Sequence, residues 1–176
     1  MRTINKRLAG TAIAPTLIRH APKVVLTFEY RRRSRQKLRL DNREELAMVL
    51  NRGTVLQHGD VLVADDGKLI VVHAAIEPVL RVTADTPMAL TRAAYHLGNR
   101  HVLVEVGADY LKLEYDPVLA DMLGRLGGLV VHRAYQQFQP GAGAYGGGHR
   151  HGHDETFAED QALAHAAYAA HTHPHP

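Results

Sequence analysis

The sequence predicts an α+β protein with two folded parts followed by a flexible C-terminal tail. Residues 1–77 contain β-rich segments separated by turn residues, which predicts a small all-β domain. Residues 78–140 alternate strand-like segments with two amphipathic helices, and each helix begins at a capping residue followed by proline. Residues 141–176 are rich in glycine and histidine, so we expect them to form no packed core.

The composition fits a protein of this size that has no disulfide bonds. The chain has 176 residues, of which 45% are hydrophobic, so a packed core is expected over the two folded parts. Cysteine is absent, which excludes disulfide bonds, thiolate nucleophiles, iron–sulfur clusters and cysteine-ligated zinc. Any bound metal must therefore use nitrogen and oxygen ligands. The formal net charge of +3 does not require a polyanionic partner.

Hydropathy gives no sign of a membrane protein. No apolar run approaches the length of about 20 residues that crosses a bilayer. Residues 1–14 are basic in places but lack a continuous apolar segment, so no secretory signal is predicted. We therefore expect a cytoplasmic protein without membrane contact. Two small domains are each marginally stable alone, and dimer formation would stabilise them.

The strand signals of the first domain begin weakly. Residues 1–20 are expected to be mobile or to form an edge strand. Residues 23–30 are rich in β-formers, and from Gln36 leucines alternate with basic residues as in a half-buried strand. Residues 44–50 have helical spacing but form a short segment, so their state stays open.

The second half of this domain contains clearer turn signals. Short strands are predicted around turns within residues 52–63. Asp65-Asp66-Gly67 is a strong hairpin signal, and a strand over residues 69–74 follows it. Glu77-Pro78 is the predicted joint between the domains. His58 is expected in a surface turn and His73 in a strand.

A run of basic residues precedes this half of the domain. It consists of Arg31, Arg32, Arg33, Arg35, Lys37 and Arg39. A nucleic-acid-binding adaptor that uses Arg31 to Arg39 is one interpretation, and a solvated strand face is the other. Acidic residues follow directly and no aromatic platform is interleaved, which favours the solvated face. Nucleic acid is therefore an alternative and not the expected partner.

The second domain shows regular alternation of strands and helices. A strand over residues 79–83 leads into Asp85-Thr86-Pro87, which begins a helix. Gly98 is predicted to end this helix in a left-handed conformation. Two strands, over residues 101–106 and 110–115, follow with a turn between them.

The combination of a capping residue and proline at a helix start occurs a second time. Asp116-Pro117 begins a helix with an apolar stripe, and Gly127-Gly128 ends it before a last strand over residues 129–138. The resulting order, β-α-β-β-α-β, is the ferredoxin-like arrangement. Two helices are therefore expected to cover one face of a four-stranded antiparallel sheet.

The tail carries most of the histidines and predicts metal binding. His149, His151 and His153 alternate, so an extended backbone turns their three imidazoles to one side. Imidazole suits nickel, copper, zinc and cobalt. The end of the chain supplies further candidate ligands at His171, His173 and His175.

Enzyme function is a less favoured interpretation of these residues. A metal-dependent hydrolase could use the histidine cluster with Asp154 or Glu155. Catalysis requires held geometry, which a flexible tail does not provide. No nucleophile–base pair or paired acids emerge, and the glycines of the tail are not followed by the Lys-Ser/Thr of a phosphate-binding loop. We expect the chain not to be an enzyme.

Four stretches of the chain form a set of motifs in a fixed order. The two specific ones are Tyr95-His96-Leu97-Gly98-Asn99-Arg100-His101 and the glycine–histidine run over residues 141–151. Two weaker stretches agree in order and spacing, Arg52-Gly53-Thr54 with Gly59-Asp60 and Asp121-Met122-Leu123 with Leu126-Gly127. Together they resemble the UreE family of urease accessory nickel chaperones, and the likeness covers roughly residues 23–153.

The resemblance implies a function and a set of partners. It implies that the first domain is a peptide-binding module and that the ferredoxin-like domain forms a homodimer. It further implies that His101 binds Ni²⁺ across the two-fold axis, where one histidine per chain supplies two ligands. Tail histidines would add ligands, and the ion would pass through the GTPase UreG to the apo-urease accessory complex. Some members carry a further histidine pair at the positions of Tyr115 and Pro117, so that secondary site is expected to be missing.

The remaining histidines and the choice of metal depend less on the resemblance. His96 lies near a helix C-terminus, where dipole and capping interactions explain it, so it is a secondary metal candidate. His132 is interpreted as structural, and His20 has no assigned role. Imidazole sites generally prefer copper to nickel, so Zn²⁺ or Cu²⁺ are expected to compete with nickel.

Overall fold

The described part of the chain, residues 2–141, is built mainly of strands. In the computed structural model the strands are β1 Thr3–Leu8, β2 Lys23–Leu26, β3 Arg35–Arg39, β4 Glu45–Val49, β5 Val61–Ala64, β6 Leu69–Ala74, β7 Ile76–Ala84, β8 Glu105–Val106, β9 Leu111–Glu114 and β10 Leu129–Gln137. The α-helices are α1 Pro15–Ile18, α2 Phe28–Arg31, α3 Pro87–Asn99 and α4 Pro117–Gly124, and Gly10–Ala12 forms a 3₁₀ turn. The strands form two separate sheets, and the predicted α+β class is confirmed.

The first sheet has six strands in the order β2-β6-β5-β1-β4-β3. Pairs β1–β4 and β2–β6 are parallel, and the other neighbours are antiparallel. Its core is one cluster of buried apolar residues: Ile4, Val24, Leu26, Leu38, Leu40, Leu46, Met48, Leu50, Leu56, Leu62, Ala64, Ile70 and Val72. The hairpin predicted at Asp65-Asp66-Gly67 is confirmed, since β5 and β6 pair as antiparallel strands across it.

Two predictions for this domain are wrong, and one open assignment is resolved. Strand β1 lies inside the sheet between β5 and β4, not at an edge, because the fully buried Ile4 anchors it to the core. Residues 44–50, left open by the sequence, contain strand β4. Residues 52–56 form no strand, because Gly53 takes a φ of 83° and turns the chain.

The second sheet has the order β10-β7-β9-β8 with every pair antiparallel. This order and the intervening α3 and α4 confirm the ferredoxin-like arrangement. Both helices contribute to a cluster on one face of the sheet, formed by Leu80, Val82, Ala93, Leu97, Leu111, Leu113 and Leu123. Strand β7 already begins at Ile76, so Glu77-Pro78 lies within the first strand of this sheet.

The predicted helix starts are confirmed by their hydrogen bonds. The Thr86 hydroxyl accepts from the Ala89 N–H at 3.2 Å, and Asp116 accepts from the Val118 N–H at 2.7 Å. The predicted end of α3 is wrong. Gly98 stays within the helix, and the left-handed residue is His101, with a φ of 55°. Consequently, of the predicted strand over residues 101–106, only Glu105–Val106 forms a strand, β8.

The other face of this sheet is covered at one end by the first domain. Phe28, Val79 and Phe138 form a buried apolar cluster. Beside it, Arg31 is fully buried and donates to the Leu56 carbonyl at 3.1 Å and to the Phe138 carbonyl. Arg31 therefore does not belong to a solvated basic face, because two backbone carbonyls pair with its guanidinium inside the protein.

The last described residues are fixed by a second set of polar contacts. The Gln139 N–H donates to Glu105 Oε2 at 2.6 Å, and the Gln139 side chain accepts from the His58 N–H at 2.9 Å. Glu105 Oε1 in turn accepts from Lys112 at 2.7 Å and from the Tyr110 hydroxyl at 3.0 Å. The point at which the chain leaves β10 is thus held to both domains. Among the described residues, no helix is long and apolar enough to span a membrane.

Candidate metal centre

His101 lies at the turn that ends α3. Its N–H donates to the Gly98 carbonyl at 2.9 Å, and the Val102 N–H donates to the Leu97 carbonyl at 3.1 Å. These two bonds form a Schellman motif, in which His101 is the left-handed residue that follows the helix cap. Val102 and Leu97 also pack in the same apolar cluster, which is the usual hydrophobic contact of this motif.

The backbone at His101 is therefore rigid although its side chain is exposed. A left-handed φ of 55° is unusual for a residue other than glycine, although histidine is among the types that tolerate it. The carbonyl ends of α3 give this position a partial negative charge, which favours a cation near the imidazole. The turn thus presents one nitrogen ligand from a fixed point at the surface.

His101 contributes to the wall of a shallow surface depression of about 450 Å³. The depression is lined by His101, Val102, Leu103, Glu114, Tyr115, Asp116 and Leu119. Asp116 is already engaged as the helix cap, and the guanidinium of Arg133 lies 4.4 Å from the centre of the Tyr115 ring. Part of the apolar lining reaches the surface, since Leu103 and Tyr115 are 39% and 40% exposed.

The other predicted ligands fall into two groups. His96 is half-buried in the last turn of α3, with its ring centre 5.6 Å from that of Tyr95. The tail candidates lie outside the described residues: His149, His151, His153, His171, His173 and His175. Within residues 2–141, no three His, Asp or Glu side chains converge in a geometry that could hold a metal ion. His101 is exposed, as are His20, His58 and His132, so the described part of one chain holds no complete site.

Two histidines of the first domain lie in contact, which the sequence did not predict. The rings of His58 and His73 meet edge to face with centres 5.1 Å apart. Nδ1 of His58 accepts from the Ala74 N–H at 3.2 Å. Burial lowers the pKa of His73, and the neighbouring His58 lowers this pKa further. Both rings are thus held by local contacts, and the neutral form of His73 is favoured.

The signal for this pair lies in the Gly59-Asp60 dipeptide. Asp60 is buried and accepts from Arg7 Nε at 2.6 Å and from the Gln57 N–H at 2.7 Å, which fixes the turn that carries His58. A Cβ on Gly10 would lie 2.1 Å from the Gly59 carbonyl oxygen, so this close approach of two backbone segments needs glycine. Only the pairing of β5 with β6 brings His73 beside this turn.

Family models match nearly all of the chain. Residues 4–75 match the N-terminal domain of the UreE urease accessory protein, and residues 77–175 match its C-terminal domain. The chain belongs to the UreE family of urease accessory proteins. His101, with its turn and the surrounding depression, lies in the part that matches the C-terminal domain.

Individual relatives agree with the family. The chain is 60% identical over 172 residues to the urease accessory protein UreE of Paraburkholderia xenovorans strain LB400, which covers 97% of this chain and 76% of the relative. It is 62% identical over 172 residues to the protein of the same name from Burkholderia pseudomallei strain 1710b, with 97% of this chain and 84% of the relative covered. Family members are accessory chaperones, so the chain is a urease accessory protein and not an enzyme.

Proposed function

We propose that this chain binds Ni²⁺ as cargo and delivers it for maturation of the urease active site. The observation that carries the proposal is the exposed imidazole of His101 on a rigid Schellman turn, in a chain of the urease accessory family. A metal ligand on a fixed backbone costs little ordering when the ion binds. An exposed imidazole also leaves the ion accessible to the next protein.

The proposed site lies between two copies of the chain. One exposed histidine cannot hold an ion tightly, but two copies that meet at a two-fold axis place two equivalent imidazoles together. The partly exposed apolar surface of Leu103 and Tyr115 beside His101 supports such contact, because aromatic and apolar residues are typical of interface cores. The proposed assembly is therefore a homodimer through the second domain.

Two imidazoles leave coordination positions open, which suits transfer. Structural metal sites are closed by four protein ligands, whereas a donor must release its ion. We assign the open positions to water and to tail histidines, chiefly His149, His151 and His153. His171, His173 and His175 are further tail ligands in this proposal. His96 stays a secondary candidate, since its ring already packs on Tyr95.

The remaining parts of the proposal concern selectivity and partners. Imidazole ligands bind Cu²⁺ and Zn²⁺ as well, so these ions compete with nickel for the same nitrogens. The proposed recipients are the GTPase UreG and the apo-urease accessory complex, and the proposed compartment is the cytoplasm. The first domain, as a peptide-binding module, would hold a partner while the second domain presents the ion.

Urease activation at limiting nickel tests the proposal. The chain, or its His101→Gly variant, is added to apo-urease with its other accessory proteins, and urease activity is measured against nickel concentration. The variant should require at least about tenfold more nickel for half-maximal activation. Loss of even an outer-shell partner of a metal ligand typically costs 10- to 100-fold in metal affinity. His20→Ala, which removes another exposed histidine, should behave as the unaltered chain. Equal activation by the unaltered chain and His101→Gly would refute delivery through His101.

A further inference from the structure

Four arginines surround a depression on the first domain. It measures about 500 Å³ and is lined by Arg32, Arg33, Ser34, Arg35, Leu50 and Arg52. All four arginine side chains are exposed. Two of them follow α2, one begins β3, and Arg52 comes from the turn after β4, so three segments of the chain converge there.

The positive charge of this arginine depression is poorly compensated within residues 2–141. Arg33 pairs with Glu29, and it is the one arginine of the four that has an acidic partner there. In β3, Arg35 lies opposite the apolar Val49. Concentrating like charges destabilises a folded protein, and an anionic partner relieves the repulsion. The depression is therefore suited to an anion.

The backbone at the depression favours carboxylates over phosphates. Phosphate sites usually offer free backbone N–H groups. Here the Arg32 N–H donates to the Phe28 carbonyl at 3.2 Å, the Arg33 N–H to the Tyr30 carbonyl at 3.2 Å, and the Leu50 N–H to the Ser34 carbonyl at 2.8 Å. The guanidinium groups come from three separate segments on long side chains, so they can pair with separate carboxylates in a bidentate manner.

Strand β3, which begins at the depression, adds a second recognition element. It is the last strand in the order of its sheet and pairs with β4 on one side. Its exposed positions Arg35, Lys37 and Arg39 alternate with more buried ones. Positive charge on an edge strand also prevents aggregation. That role does not explain Arg32 and Arg52, which lie off the strand.

We propose that the arginine depression and the edge of β3 form a docking site for an extended, carboxylate-rich segment of a partner protein. Such a segment pairs its backbone with β3, and its alternate carboxylates face Arg35, Lys37 and Arg39. A further carboxylate enters the depression and binds Arg32 and Arg52. This docking site rests on the proposed role of the first domain as a peptide-binding module and names the chemistry of its partner. It lies on a different domain from His101 and does not depend on nickel.

Fluorescence anisotropy on the full chain tests the docking site. The probe is a fluorescein-labelled peptide of alternating glutamate and threonine at pH 7.5 and low salt, with a glutamine–threonine peptide as control. The triple variant Arg32→Gln, Arg35→Gln, Arg52→Gln should weaken binding of the acidic peptide about tenfold, since each exposed ion pair contributes a modest amount. The matched triple variant Arg19→Gln, Arg92→Gln, Arg125→Gln removes equal charge from exposed positions elsewhere and should retain binding within about twofold.

Several results would overturn the docking site. Equal weakening of peptide binding in both triple variants would show that net charge, and not the arginine depression, determines the affinity. Tighter binding of pyrophosphate or of an oligothymidylate than of the acidic peptide would assign the depression to phosphates or nucleic acid. Thermal melting checks that the variants fold. If the triple variant fails to fold, the single variant Arg52→Glu replaces it and should weaken binding of the acidic peptide severalfold. Unchanged affinity in Arg52→Glu would also contradict the proposal.

Discussion

His101 and the pair His58–His73 show that the fold can leave one imidazole available and engage another in local contacts. The imidazole of His101 is exposed on a turn that is held by backbone bonds alone. In the pair, Nδ1 of His58 is occupied by the Ala74 N–H and the two rings contact each other. A nitrogen that already accepts a hydrogen bond must give it up before it can bind a metal.

The comparison teaches that backbone rigidity and side-chain availability are separate properties. Schellman bonds fix the Cα of His101 while its ring stays available. The turn of His58 is equally well fixed, by Asp60, but Nδ1 of its ring already accepts from the Ala74 N–H. Histidine content alone therefore does not separate an available imidazole from an engaged one, and the following predictions test the distinction.

The largest expected effect contrasts the two sites in nickel binding. His101→Gly should lower the affinity of the tightest nickel site at least about 100-fold, since it removes two symmetric ligands of one ion at once. His73→Gln should leave that affinity unchanged. Isothermal titration calorimetry with Ni²⁺ measures both affinities. An equal loss of nickel affinity in the two variants would contradict the distinction between the two sites. His96→Ala should retain the tight site.

Acid should weaken nickel binding through the available histidines. Metal binding requires the neutral imidazole, whose ordinary pKa is about 6.5. We expect the affinity for nickel to fall by about tenfold or more between pH 7.5 and pH 5, with most of the loss below pH 6.5. Titration at several pH values checks this, and a constant affinity over that range would rule out an imidazole site.

Removal of the tail should change capacity and not the fold. Truncation after Gly148 deletes His149, His151 and His153 together with the later histidines, so fewer nickel ions should bind per chain. The dimer should remain folded, because the described cores end before this point. Equilibrium dialysis gives the number of ions, and an unchanged number would show that the tail binds none.

The turn of His101 predicts a small and separate effect on stability. His101→Gly should leave the free energy of unfolding unchanged or raise it by up to about 1 kcal/mol, since glycine accepts a positive φ without strain. His101→Ala should be less stable than His101→Gly by about 1 kcal/mol, because a Cβ disfavours the left-handed region. Urea unfolding of the metal-free proteins compares them. Equal stability of both variants would argue against the Schellman geometry.

The smallest expected effect concerns the pH dependence of stability at the His58–His73 pair. Burial and His58 lower the pKa of His73 in the folded state, so the unfolded state binds more protons in acid. The stabilisation is present above the unfolded pKa of about 6.5 and is lost as pH falls through the lower folded pKa. His73→Gln should flatten this part of the profile, as measured by urea unfolding between pH 7.5 and pH 5. His101→Gly should leave its slope unchanged.

Local signals predicted the second domain well. Its helix starts are encoded within a few residues by Thr86-Pro87 and Asp116-Pro117, and the apolar spacing of α3 and α4 defines their buried faces. The exception is the end of α3, where Gly98 carries the usual sign of a left-handed residue but His101 takes that conformation. The Schellman bonds to Leu97 and Gly98 decide this, and a sequence pattern does not show which residue follows the cap.

Long-range pairing explains most of what the sequence did not predict in the first domain. Strand β1 has few apolar residues and gains its place from β4 and β5, which are distant in sequence. Arg31 sits in a basic run, yet the carbonyls of Leu56 and Phe138 make it a buried residue. At the candidate metal centre the motif predicted His101, but the open imidazole and the engaged ring of His58 became visible only in three dimensions.

Counting nickel ions on mixed dimers tests the central claim most directly. Unaltered chains and a mass-distinguishable His101→Gly chain are mixed, and native mass spectrometry records nickel on each of the three dimers at substoichiometric metal. The proposal predicts one tightly bound ion on the dimer with two copies of His101, and sharply reduced occupancy on the mixed dimer as well as on the variant dimer. Equal occupancy on the mixed dimer and on the dimer with two copies would show that one chain holds the ion alone, and would contradict a site shared across the axis.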